Sequence, residues 1–445
     1  MSSLFRNANF ARLFAGRVVT NAGDSLYYVA SMWLVYDLTG SSFYTGLAGF
    51  LVLAPSAFQF LFGPLVDRVS LRRLLVGTQL TQAVVVLTVP LAFTLGYLNV
   101  WVVLAVMPIL SLLNQPVYPA QSAALPRLVE RDELVRANSL FALAYQGIDA
   151  GFNALGGVLV AVVGATALFV LDAATFVAAA ALFAGLRVRA AGETSDSVGG
   201  PEDAPDTAEP VAATDGGADE TAERPDGGEE PTGAGDDPTS YVADLREGIA
   251  FLRGTVMGKV MLGSVVVNGT FGAALAVLPA YGDMLGGEIA YGLLTAGVGG
   301  GLFVGALAAS RFEDYAFGWL NVVSFLVGAV LWAAAVTVGW FPGTVALLAL
   351  ALVPVGVTNV LFSALVQSLV PEAMLGRASA VMGSMSSAAT PVGALLGGAA
   401  ADAFGVTVVL YVTAAGLLGL AVYLASIRQF RRLPRISDVE TLAVE

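Results

Sequence analysis

In a chain of 445 residues, 57% hydrophobic and only 12% charged side chains, with a mean hydropathy of +0.77, exclude a protein whose main solvent is water, since soluble domains carry roughly 25% charged residues. The absence of cysteine and histidine excludes disulfides, thiol catalysis, imidazole metal sites and a histidine proton relay. The net charge of −13 is lodged almost wholly in one central stretch.

A membrane-spanning helix needs about 20 mostly apolar residues, and twelve such runs follow one another. They cover 10 to 36, 43 to 66, 73 to 96, 99 to 122, 138 to 163 and 166 to 188, then 256 to 281, 288 to 310, 317 to 339, 343 to 369, 374 to 402 and 405 to 427. A membrane barrel shows ~10-residue alternating segments instead. The expectation is an all-α membrane protein. The start, MSSLFRNANFARLF, lacks a small-residue cleavage pattern and precedes too long an apolar run for a cleavable signal.

The first helix carries a polar stripe. Arg17, Asn21, Asp24, Tyr28 and Ser31 recur three or four residues apart, which places them on one helix face. An acid at the bilayer centre costs about 2.5 to 3.5 kcal/mol on insertion scales, so such a group normally faces a bundle interior or a wet cavity. Asp24 is therefore expected to look inward. After the second helix comes GPLVDRVSLRR, residues 63 to 73, in which Asp67 and Arg68 close one helix while Arg72 and Arg73 open the next. A carboxylate there can pair with neighbouring bases or face a helix N-terminus.

The fourth helix adds Asn114, Tyr118 and Gln121, and the fifth shows Asn138, Tyr145 or Gln146, Asp149 and Asn153 along one side. Counted from their helix starts, Asp24 and Asp149 lie at depths of about 22 and 18 Å at 1.5 Å per residue, hence near one level. Asp172, in VLDAATF of the sixth helix, sits close enough to a helix start for water to be expected within reach. Residues 191 to 240 contain 15 Asp or Glu and the single base Arg224. Such a stretch cannot bury enough apolar surface to fold and reads as an acidic, disordered tether.

Beyond the tether, Asn268, Asn359, Ser386 and Thr390 supply neutral polar groups at comparable depth, so the expected cavity is acidic on its first-half wall. GVGGGLFVG, residues 297 to 305, and GGAAAD, residues 397 to 402, allow close helix packing. GVGGG lacks the strand and the Gly-Lys-Ser/Thr of a phosphate loop. Pro55, Pro108, Pro116, Pro119, Pro279, Pro354 and Pro391 fall within spans and are expected to kink them. Of the 21 Lys and Arg, the 20 other than Arg17 gather at the N-terminus, the even-to-odd loops, the linker and the tail. The positive-inside rule then places both termini in the cytoplasm and the protein in the cell membrane.

The two halves resemble one another. Gln121, Ser122 and Pro126 answer Gln367, Ser368 and Pro371; Arg136 and Ala137 answer Arg377 and Ala378; Gly156 and Gly157 answer Gly397 and Gly398; Gly63 answers Gly305. Paired six-helix halves in parallel orientation are a transporter architecture with substrate between the halves near the midplane. The expected organisation is a first bundle over 1 to 190, the linker over 191 to 240 and a second bundle over 241 to 445.

GPLVDRVSLRR is similar to the signature G-x-L-a-D-r-x-G-r-k of the major facilitator superfamily. Gly63, Leu65, Asp67, Arg68 and Arg72 match, Ser70 replaces a Gly, Leu71 replaces a base and Arg73 is added. The second-half GALAASRFEDYAFG keeps Gly305 and Arg311 but has Ala309 at the acid position. NAGDSLYYVASMWLVYDLTGS and ALFVLDAATF also resemble the first and sixth helices of the macrolide-efflux and enterobactin-exporter subgroup. The resemblance implies twelve transmembrane helices in two pseudo-symmetric six-helix bundles and a gating role for Asp67 with Gly63, Arg68, Arg72 and Arg73.

These readings converge on a secondary active transporter that works by alternating access and exports amphipathic small molecules. Asp24 and Asp149 are the candidates for proton coupling. Asn21, Tyr28, Asn114, Tyr118, Gln121, Gln146, Asn268, Asn359 and Thr390 are the candidates for the substrate cavity. The expected partners are a small-molecule substrate, protons and the lipid bilayer, with no nucleic acid, no cofactor and no metal, in a monomer. Competing readings are a nutrient or metabolite uptake permease and a non-transporting scaffold that uses the linker as its arm. An aspartyl intramembrane protease would need a second Asp motif on a neighbouring helix to join Ala22-Gly23-Asp24, and the chain has none.

Overall fold

The computed structural model describes residues 4–56, 69–130, 133–186, 255–369, 372–433 and 435. The linker, and with it Gly63, Asp67 and Arg68 of the expected gate, lies outside them.

The first half consists of α1 (Ala8–Thr39), α2 (Ser42–Leu53), α3 (Leu71–Val86), α4 (Thr88–Thr94), α5 (Val100–Asn114), α6 (Val117–Leu128), α7 (Leu134–Val163) and α8 (Ala165–Ala184). The second comprises α9 (Val256–Gly286), α10 (Glu288–Ala308), α11 (Phe317–Thr337), α12 (Phe341–Leu369), α13 (Glu372–Phe404), α14 (Val406–Ser426) and the short α15 (Arg428–Arg431). Each of the twelve apolar runs holds a helix. The pairs α3–α4 and α5–α6 each form one crossing interrupted midway. At the second break Pro116 has no N–H to return to the carbonyl of Leu112, and Gln115 N bonds that oxygen instead at 3.2 Å.

Hydrocarbon forces this all-helical solution, because a helix satisfies its backbone internally. Eight of the described helical segments are long and apolar enough to cross a membrane by length and composition. Asn and Thr side chains cap α1, α5 and α9, through Asn7, Asn99 and Thr255. At the opposite ends glycines with positive φ turn the chain, as Gly40 does after α1 at φ 62°, a conformation L side chains rarely adopt.

Packing repeats between the halves. The first helix of the first half, α1, lies against α7 and α8, as α9 lies against α13 and α14; α3 meets α8 as α11 meets α14. The halves join along two seams, α7 with α10 and α2 with α13. Exchanging the halves turns one seam into the other. Each seam is a backbone-to-backbone contact at glycine: a methyl on Gly157 would overlap the Gly292 carbonyl, and one on Gly398 would overlap the Ser42 carbonyl. Both seams lie toward the face opposite the chain termini, the distal face. There Thr45 Oγ1 donates to Ala276 O at 2.6 Å, Tyr291 Oη to Val29 O at 3.0 Å and Tyr36 Oη to Asp283 Oδ2 at 3.4 Å, all between halves.

The same device packs the second half internally. Gly301 of α10 has the Ala349 carbonyl of α12 where a Cβ would go, whereas a Cβ on neighbouring Gly300 would meet nothing within 4 Å. Gly301→Ala should therefore cost about 1–3 kcal/mol through overpacking, whereas Gly300→Ala should be neutral or stabilising by up to about 1 kcal/mol through helix propensity, measured by thermal unfolding in detergent.

Candidate functional site

Between the halves lies a cavity of about 690 Å³, walled by α1 and α2 of the first half and by α9, α10, α12 and α13 of the second. Most of its wall is apolar, with Met32, Leu53, Phe271, Leu275, Val298 and Leu302 among the contributors. Asp24 is the acid among the described lining residues, and Tyr28, Thr295, Asn359 and Thr390 add neutral polar groups.

The register of α1 explains why Asp24 points there. Small residues Gly16 and Gly23, with Thr20 between them, face away from the cavity at helical spacing. The Phe183 ring of α8 sits where a Cβ on Gly16 would be, and Thr175 and Asp172 of α8 occupy that place at Gly23. With that side pressed onto α8, the adjacent face is left for the inter-half space. Asn114, at the end of α5, donates from Nδ2 to Asp24 Oδ2 at 3.2 Å and fixes the carboxylate's orientation.

The rest of the polar stripe divides by depth. Nearer the terminal face, α6 and α7 close over α1. There Arg17, 5% exposed, shares its Nε between Gln121 Oε1 and Tyr145 Oη, both at 3.1 Å. Its guanidinium lies over the Tyr145 ring, 5.5 Å from the centroid, and Tyr145 Oη donates to Gln121 Oε1. Arg17 Nη1 is buried and meets no acceptor among the described residues. Thr20 Oγ1 and Gln79 Oε1 lie 3.0 Å apart, Gln79 Nε2 donates to Gln82 Oε1 at 3.2 Å, and Gln82 Nε2 reaches Leu110 O at 3.4 Å. This network lies inside the first bundle, and Ser31 at the other end of the stripe is fully buried.

The expected cavity residues thus separate. Asp24, Tyr28, Asn359 and Thr390 line the cavity, and Asn114 holds Asp24. Gln121 is committed to Arg17, Tyr118 is 55% exposed, and Asn268 is half-buried outside the described lining. Asn21 is also half-buried, and its carbonyl accepts from Ser25 Oγ at 3.0 Å. The side chains of Gln146, Asp149 and Ser386 lie outside the described residues. Arg72 and Arg73 are exposed in the first turn of α3.

Asp172 differs from the expectation of nearby water. It is fully buried, Oδ1 accepts from Thr175 Oγ1 at 3.2 Å, and Oδ2 has no donor among the described residues. Gly23 is the reason: without a side chain there, α1 closes over α8 and seals the carboxyl in. Sequence reasoning missed Tyr291 and Thr295. They sit one turn apart on the face of α10 that meets the cavity, just before the Gly-rich run 297 to 305, and their i, i+4 polar spacing is the signal that could have found them.

This arrangement, two pseudo-symmetric helical halves around a central cavity, is shared with known proteins. The family profile of the Major Facilitator Superfamily matches residues 13–390. The chain belongs to that superfamily. It is 26% identical over 156 residues to YvqJ, an MFS-type transporter of Bacillus subtilis (strain 168), covering 35% of this chain and 37% of the relative. It is 29% identical over 178 residues to YjbB, an MFS-type transporter of the same organism, covering 38% and 44%. The matched stretches therefore span under half of each relative.

Among solved structures, a bacterial homologue of the lysosomal transporter Spinster, inward-facing and unoccupied, superposes with TM-score 0.65 at 12% identity over 100% of this chain and 99% of that one. The nucleoside transporter NupG gives 0.62 at 12% over 94% and 98%. A bacterial homologue of the iron transporter ferroportin, inward-facing, gives 0.61 at 15% over 97% and 100%. At these identities the likeness is one of fold. The superfamily comprises transport proteins, so this chain is a multi-pass membrane transporter and not an enzyme.

The buried Arg17 network yields a sign prediction. Gln121→Leu removes a partner from an enclosed cation and should cost about 1–3 kcal/mol. Adding Arg17→Met removes the cation as well and should recover much of that loss, read as thermal stability of the single and double variants.

Proposed function

We propose that this transporter exports amphipathic small molecules by alternating access, in exchange for protons carried by Asp24, with Asp149 as a second carrier. The observation that carries the reading is the lining of the cavity: mainly apolar, with one described carboxylate held at its wall by Asn114. Such a site suits a molecule with an extended apolar body and a cationic or hydrogen-bonding end. An acid there can hold either a proton or a cationic substrate but not both, and that competition is the simplest basis for exchange.

The Lys and Arg distribution supports assigning the distal face to the outside and both termini to the cytoplasm. Two seams at the distal face support a resting state closed to the outside. The likeness of the first and sixth helices to the macrolide-efflux and enterobactin-exporter subgroup favours export over uptake. Asp149 lies one turn beyond Tyr145 on α7, the helix that borders α1. We read Asp67, Arg68, Arg72 and Arg73 as the cytoplasmic gate and the acidic linker as a tether between two halves of one monomer. Deletion of residues 195 to 235 should then leave flux intact, whereas a scaffold would lose its partner.

In proteoliposomes, flux of a transported amphiphile should change sign or rate when an imposed pH gradient is reversed. Asp24→Asn should retain binding of neutral amphiphiles and lose the gradient response. Parent flux indifferent to reversal would remove proton coupling, and an Asp24→Asn variant with parental pH dependence would remove Asp24 from it.

A further inference from the structure

The first few N–H groups of any helix lack partners within it. In α1, α5 and α9 the chain provides them locally: Asn7 Oδ1 accepts from Asn9 N and Phe10 N, Asn99 Oδ1 from Trp101 N and Val102 N, and Thr255 Oγ1 from Gly258 N. The helices α2 and α8 of the first half differ. Neither has a side-chain cap of its own: Ser41 makes none, and Gly164 has no side chain to make one.

Their caps come from the other half. Asp402, near the end of α13, accepts from Ser42 N through Oδ1 at 2.9 Å, from Phe43 N through Oδ2 at 3.3 Å and from the Ser41 hydroxyl at 2.6 Å. Glu288, the first residue of α10, accepts from Ala165 N through Oε1 at 3.2 Å. We propose that Asp402 and Glu288 form a double latch that holds the distal seams shut by capping α2 and α8 across the interface between halves.

Three features make this more than two incidental surface contacts. One carboxylate stands at each seam, beside the glycine pair that brings the backbones together. The seams are pseudo-symmetric, and Glu288 is separated from Ser42 by the same 246 residues that separate Gly292 from Gly46. The second half supplies both anions and the first half both helix N-termini, whose partial positive charge attracts them. When the halves part at this face, as the alternating-access reading requires, both helices lose their caps together. Water replaces them, so the latch biases the equilibrium without locking it.

The native chain has no cysteine, so spin labels can be placed cleanly. Tyr97 and Val338, 73% and 41% exposed, lie in distal turns of opposite halves. Nitroxides on Tyr97→Cys and Val338→Cys in lipid nanodiscs report the separation by double electron–electron resonance. The Asp402→Ala/Glu288→Ala pair should raise the ratio of the wide to the narrow distance population about tenfold or more, since each lost bond to a charged group is worth about that factor. Single variants should fall between.

Ser41→Asp, which gives α2 a cap present in both states, should shift the ratio the same way without removing either acid. It carries the test if the double variant does not fold. Glu313→Gln, an exposed acid away from the seams, should leave the distances unchanged. Distances in the double variant or in Ser41→Asp that match the parent, or an equal shift in Glu313→Gln, would overturn the latch. Whether the parent itself shows a second, wider population tests alternating access separately.

Discussion

Hydrocarbon gives a polar atom no partner, and the whole molecule is arranged around that constraint. Backbone groups are satisfied within helices, so the fold is all-helical. Polar side chains must then be hidden by other helices or gathered where solvent can reach. Both solutions occur on α1. Arg17 is enclosed by Gln121 and Tyr145 within the first bundle, while Asp24 faces the space between bundles. The first encloses its polar group and the second leaves it facing the cavity, and only two helical turns separate them.

Glycine decides how closely the parts can meet. Where α1 touches α8, Gly16 and Gly23 admit Phe183, Thr175 and Asp172, and the resulting contact turns Asp24 toward the cavity. Where the halves touch, glycines allow backbone to lie on backbone. Contacts of that kind are close over a short length and leave the rest of the interface free to open. A carboxylate beside each seam then adds a charge–dipole term that depends on the seam being closed.

Much of this was legible in the sequence. The length of each apolar run is set by membrane thickness, so most helix ends among the described residues fall within a few residues of the expected spans, while the far end of the second span lies outside the described residues. Gly157 and Gly398 were recognisable as a repeated pair, but not as the two seams, because the identity of facing helices depends on tertiary packing. Asp24 was expected to face inward since its cost in lipid is large and local. The pairing of Gln121 with Arg17, by contrast, depends on the relative rotation of α1, α6 and α7, and spacing within one helix says nothing of it. Asp172 was placed near water by counting from the helix start, and the close approach at Gly23 removed that water. The caps supplied by Asp402 and Glu288 were invisible for the same reason: their partners lie in the other half of the chain.

The account rests on the cavity being a solvent-filled passage that opens to one face at a time. Cysteines at Thr390 and Asn359, in the lining, can be challenged with a membrane-impermeant maleimide in sealed vesicles of each orientation, beside Val330→Cys on the outer surface of α11, where Val330 is 59% exposed. The account predicts labelling of the two cavity positions from the face that bears the termini, little labelling of them from the distal face, and none of Val330→Cys. Cavity cysteines inert from both faces in folded protein, or equally reactive from both in the resting state, would contradict it.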